Sequence, residues 1–273
     1  MSTPLQILIY GVLLPAVVAG IVLLLGRRSW AAALGIGAGY AAGHALQFDW
    51  PSLPPAEATN WPVYFAIGAA ILAIVETTWE PRALLRWLAR AVIGGVAFWL
   101  LRPPDQGVTW IGVALGAMLA FWALLSLLSR RLGDASLSLV LVVTLAGASA
   151  LFGLTNSVSL ARMGGCLTSA VGACWVLSAI GVGREIARGV VPVVSIVFAS
   201  IAACSIDKWS YSGTPLWMAA VVAASPAAAW LVELTPIKSA ASWKAAVARA
   251  IVVGIVVAVP VGLASKEFLA SAY

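Results

Sequence analysis

The chain has 273 residues, 62% of them hydrophobic and only 10% charged, with a mean hydropathy of +1.02. A soluble domain of this size carries about 25% charged residues, so this composition excludes a water-soluble enzyme and predicts an all-α polytopic membrane protein. The net charge of +6 comes in pairs and threes at the ends of apolar runs. That is membrane topology rather than a nucleic-acid stripe, and the expected partner is the lipid bilayer.

The opening MSTPLQ holds no basic residue, and Arg27 and Arg28 follow the first apolar run, 5–26. A cleaved leader would carry its positive flank in front, so this run reads as a span entering from outside. The second span, 30–48, carries Gly35, Gly39 and Gly43 at i, i+4, i+8. This glycine zipper forms one smooth stripe that lets another helix approach closely. The chain's single histidine, His44, follows it, and Asp49 stands five residues on. That spacing matches the HxxxxD signature of glycerolipid acyltransferases, but the rest of that pattern is absent. Residues five apart also lie about 500° around a helix.

Next comes DWPSLPPAEATNW, the longest outer connection, bracketed by Trp50 and Trp61. Spans three and four, 62–79 and 84–101, place Glu76 at the end of one and Arg90 inside the start of the other. Spans 108–129 and 135–154 follow, then a soft boundary through Asn156, Ser157, Ser159 and Arg162 into span 159–181. Arg162 is the best candidate for a charge within the bilayer, where an ionisable group marks function by default. Span 188–205 has small residues at Ser195, Ala199 and Ala203, and spans 215–232 and 245–265 bring the pair Glu233 and Arg249. Pro192, Pro226 and Pro260 fall inside these last three spans, where proline is expected to kink the helix.

Ten spans take about 200 residues, leaving short loops and no soluble domain. The connections after odd-numbered spans carry Arg27, Arg28, Arg82, Arg86, Arg90, Arg130, Arg131, Arg184, Arg188, Lys238, Lys244 and Arg249. The opposite side has Arg102, Arg162, Lys208 and Lys266. This asymmetry puts both termini outside the cytoplasm, in an expected bacterial inner membrane. Trp30, Trp50, Trp61, Trp79, Trp110, Trp209 and Trp243 lie near span ends, as an aromatic belt requires.

An internal correspondence runs at near-constant spacing. Gly26-Arg27 matches Gly183-Arg184, Asp49-Trp50 matches Asp207-Lys208-Trp209, Glu76 matches Glu233 and Arg90 matches Arg249. This predicts a parallel tandem repeat of four-helix units, 5–101 and 159–265, joined by two linker helices in 108–154. In parallel repeats, binding sites lie at the repeat interface, here lined by spans two and eight.

The residues offer no catalytic constellation. One histidine cannot build a bis-histidine or di-iron centre, no G-x-S-x-G elbow exists, and Cys166, Cys174 and Cys204 form no metal-ligand pattern. No cofactor, metal or enzymatic activity is expected, and the cysteines read as packing thiols. The leading expectation is a small-molecule transporter or permease-like protein, with Arg162 and His44 as polar contacts. In it, Glu76–Arg90 and Glu233–Arg249 form ion pairs at the cytoplasmic side. The alternative is a non-catalytic membrane subunit whose Gly35/Gly39/Gly43 and Ser195/Ala199/Ala203 faces pack against a second copy or partner subunits.

Overall fold

The computed structural model describes residues 4–103, 106–155, 157–183, 185–206, 213–236 and 242–271. The landmarks Arg184, Asp207, Lys208 and Trp209, the basic Lys238 and the boundary residue Asn156 lie outside them.

The described chain is a bundle of helices with no strand. In order these are α1 (Pro4–Gly26), α2 (Ser29–Phe48), α3 (Trp61–Trp79), α4 (Ala83–Leu101) and α5 (Val108–Arg131). Then follow α6 (Asp134–Leu154), α7 (Val158–Ala179), α8 (Ile186–Ile206), α9 (Leu216–Glu233) and α10 (Ser242–Ser271). Nine helices among the described residues are long and apolar enough to cross a membrane. The chain is an integral, multi-pass membrane protein by that measure. The helix outside this set is α2, which has the length, 20 residues, but is rich in glycine and alanine. The reason is its position: half of its residues are buried, because α1, α3, α7 and α8 all pack on it. A helix enclosed by protein needs close approach more than oiliness.

The glycine stripe explains the packing locally. A methyl built on Gly35 would come 2.8 Å from Ala19 O, and one on Gly39 would come 2.5 Å from Pro15 O. One on Gly43 would meet Pro15 Cγ at 2.6 Å and Cys166 Sγ at 2.9 Å. The stripe therefore receives α1 and α7, and not α8. Helices α2 and α8 do touch, but through Gly189, whose Cβ position is occupied by the backbone of Ser29 and Ala33. Ser195 is fully buried, while Ala199 and Ala203 line an apolar groove of about 250 Å³ between α4, α5, α8 and α9. The two small-residue faces have different neighbours.

The three prolines differ in what they do to helix continuity. Pro192 and Pro260 stand inside unbroken α8 and α10. Only Pro226 interrupts its helix, where α9 passes through a 3₁₀ turn, Ser225–Ala228. There Ser225 Oγ lies 3.2 Å from Thr144 Oγ of α6, a polar contact where the ladder is broken. An unexpected irregularity precedes Pro15, a π-helical turn at Ile9–Leu13. Proline at 15 cannot donate to Gly11 O, and Ser169 Oγ of α7 stands 3.4 Å from that carbonyl.

The candidate repeat units are not packed alike. An axis relating them would pair the α2–α7 and α3–α8 contacts with α8–α1 and α9–α2, and among the described residues neither recurs to a comparable extent. The innermost helix is α8, with 78% of its apolar window buried. Together with α2 it forms the centre around which the other helices are arranged.

Candidate functional site at the basic end of the bundle

One end of the bundle gathers the ends of five helices into a polar cavity of about 380 Å³. Its charged lining comes from Glu76 of α3 and Glu80 just after it, Arg86 and Arg90 of α4, Arg130 of α5, and Glu185 and Arg188 at the start of α8. Ser29 opens α2 and Ser126 lies on α5 in the same wall. Part of this is local: Arg82, Arg86 and Arg90 recur every four residues, so they share one face at the start of α4. Arg82 and Arg86 carry a signal in the sequence for orientation alone, and Arg90 for orientation and for its pairing with Glu76.

At the floor, Arg90 donates from Nε to Glu76 Oε1 (2.9 Å) and from Nη2 to Glu76 Oε2 (2.8 Å). Both residues are buried. This is the bidentate geometry that a planar guanidinium favours. The guanidinium carbon also sits 4.6 Å from the Trp87 ring centroid and 4.5 Å from that of Trp122. Trp87 is three residues from Arg90 on the same helix, a spacing that foreshadows contact. Trp122 comes from α5, and nothing in its sequence neighbourhood indicates the pairing.

The rim is less neutralised. Arg188 pairs with Glu185 at 2.9 Å and reaches Glu80 at 3.8 Å, all three exposed. Glu80 and Glu185 both have positive φ, 45° and 54°, a left-handed conformation that is uncommon for non-glycine residues. Arg86 donates from Nη2 to Pro81 O at 3.2 Å. Its Nε is buried and finds no partner among the described residues. Arg130 at the end of α5 is exposed and has no carboxylate partner among them.

The second Glu–Arg pair lies apart from this cavity. Arg249 of α10 donates from Nε to Glu233 Oε1 at 3.0 Å, from Nη2 to the same oxygen, and from Nη1 to Ser136 Oγ of α6 at 2.8 Å. Arg249 is buried, whereas the Glu233 side chain is 26% exposed. Ser136 was not singled out from the sequence, and no local pattern marks it.

His44 and Arg162 have different surroundings. His44 is fully buried between the rings of Tyr40 and Phe48 of its own helix, with centroid distances of 6.2 and 5.2 Å. Neither imidazole nitrogen has a partner among the described residues. Asp49 caps the helix end outside it, exposed, at φ 63°, so the pair does not form a site. Arg162 stands in the second turn of α7, inside the helix rather than ahead of it. It lines a cleft of about 90 Å³ with Gln6, Ile7, Tyr10, Leu46 and Gln47 at the end opposite the basic cavity. Gln47 Nε2 lies 2.9 Å from Cys166 Sγ. All three cysteines are free thiols.

The two central helices also hold polar atoms without protein partners. Tyr40 Oη and both nitrogens of His44 on α2, and Ser195 Oγ on α8, are buried and unpaired among the described residues. Helix α2 thus runs from Ser29 in the basic cavity to Gln47 in the opposite cleft, with Tyr40 and His44 between. Compared with known proteins, the chain matches no family model, no curated protein and no solved structure.

Proposed function

We propose that this chain is a small-molecule transporter or permease-like protein of ten spans, counting α2. Its polar path would follow α2 and α8. The observation that carries this reading is the set of unpaired polar groups Tyr40, His44 and Ser195, buried on the central helices between two polar mouths. A buried polar group without a partner costs about 1–3 kcal/mol, and apolar side chains would fill those positions more cheaply. Groups kept at such a cost suit the passage of a polar solute or water. The basic cavity draws its lining from both candidate units and the linker, which supports a binding site at their junction. The charge asymmetry supports placing this cavity on the cytoplasmic face of a bacterial inner membrane, with both termini outside.

The test is reconstitution of the purified chain in liposomes, with flux of labelled phosphate, small carboxylates, sugars and amino acids measured across the bilayer. Flux of one class, diminished by Ser195→Ala and by His44→Leu in stably folded protein, is the expected result. No flux for any class, together with recovery from native membranes only in a stoichiometric assembly, would replace this reading by that of a non-catalytic subunit. The apolar groove between α4, α5, α8 and α9 favours that second reading.

A further inference from the structure

We infer that the basic cavity binds a phosphate-bearing anion, and that Arg86 and Arg130 are the side chains that hold it. The inference rests on the transport reading in taking this cavity as the substrate's mouth, and it adds the chemistry of what enters. Four arginines and three glutamates face the space. Arg90 is committed to Glu76, and Arg188 is shared by Glu185 and Glu80. These contacts leave each of these carboxylates beside a cation and two cations, Arg86 and Arg130, with no carboxylate partner among the described residues. A cation would therefore find no free acid among these residues, whereas an anion would find two guanidinium groups that no described carboxylate neutralises.

Arginines that merely mark the cytoplasmic side of a membrane protein extend into water. Arg86 does not: its Nε is buried and unpaired, while one Nη is tied to Pro81 O. A carboxylate has two oxygens and is satisfied by one fork, whereas a phosphate presents three or more and bridges two arginines. The hydroxyls of Ser29 and Ser126 in the same wall offer further donors. The volume of about 380 Å³ exceeds what phosphate alone would fill and falls within the range of small-molecule pockets. The ligand is thus a phosphomonoester, either a soluble one or the monoester headgroup of phosphatidic acid, the same chemistry from two sources.

The experiment uses the full chain in discs of phosphatidylcholine. Thermal unfolding is followed against millimolar inorganic phosphate, with sodium chloride at matched ionic strength as the control. Phosphate should raise the unfolding midpoint of the wild type, and the Arg86→Gln/Arg130→Gln variant should need at least tenfold more phosphate for the same shift. Lys266→Gln, an exposed position of α10, should respond as the wild type does. The lipid source is separated by discs containing phosphatidic acid, with bound lipid counted by native mass spectrometry. Retention of phosphatidic acid that the double variant loses, without a response to phosphate, assigns the site to a headgroup.

Should the double variant fail to fold, protection of Arg86 and Arg130 from phenylglyoxal by phosphate in the wild type answers the same question. Absence of any response to both probes, or a response unchanged in the double variant, overturns the inference. Phosphate flux into liposomes is measured in parallel. Binding without flux of any of the four solute classes keeps this site and removes the transport reading, while flux with no binding response keeps transport and removes the site.

Discussion

Glu76 and Arg90 are fourteen residues apart in the chain and form a buried bidentate pair between the rings of Trp87 and Trp122. The pair joins α3 to α4 and, through Trp122, to α5. Removing one partner of a buried pair leaves an uncompensated charge, at a cost of about 3–5 kcal/mol. Glu76→Gln and Arg90→Met should each lower the detergent-solubilised unfolding midpoint sharply. The double variant should be more stable than the sum of the two losses implies. Arg90→Lys should not rescue, because an ammonium cannot make the fork or lie flat between two rings. A double-mutant cycle by thermal unfolding measures this, and strictly additive losses would show that the pair is not coupled.

The second pair should matter less. Glu233 is partly exposed, so water replaces some of what Arg249 loses when Glu233 becomes Gln. Ser136→Ala removes one hydrogen bond to a charged donor, worth about 1.5–3 kcal/mol at most. The expected order of destabilisation, in the same assay, is Glu76→Gln above Glu233→Gln. The reverse order would mean that the exposure difference does not control the energetics.

Glycines in this chain divide by what surrounds them. Gly39→Ala would press a methyl against Pro15 O, and overpacking of this kind costs about 1–3 kcal/mol. Gly68, in the middle of α3, has nothing within 4 Å of its Cβ position. There alanine should stabilise by up to about 1 kcal/mol through helix propensity. Opposite signs for the two substitutions in one unfolding assay are expected; equal effects would deny the close approach of α1 to α2.

The unpaired groups on α2 and α8 separate stability from function. Ser195→Ala and Tyr40→Phe each delete a polar atom that has no partner among the described residues, so neither should lower the unfolding midpoint by more than a degree or two. Under the transport reading both should reduce flux several-fold. A loss of stability without loss of flux would mark these groups as structural.

Composition alone determined the solvent of this protein, because 62% hydrophobic residues leave too little polar surface to face water. Apolar run lengths determined most helix positions for a related reason. In a bilayer every backbone group must bond within its own helix, so a run of about 20 such residues has little choice. Where a helix is enclosed by protein, that logic weakens, and α2 is visible more through its glycine spacing than its oiliness. The Glu–Arg pairs were also legible, since each joins consecutive helices across a short connection, where chain connectivity limits the partners.

Only the tertiary structure decided which faces meet. Periodicity places Gly35, Gly39 and Gly43 on one stripe but says nothing of what fills it, and the occupants are α1 and α7 rather than α8. It likewise brought Trp122 and Ser136, distant in sequence, onto Arg90 and Arg249. The basic cavity belongs to the same class. Its arginines are each ordinary at a helix end, and their meaning arises from five helix ends converging on one space. Between helices in a membrane, specificity comes from shape and a few polar contacts rather than from hydrophobicity, and shape is a property of the assembled bundle.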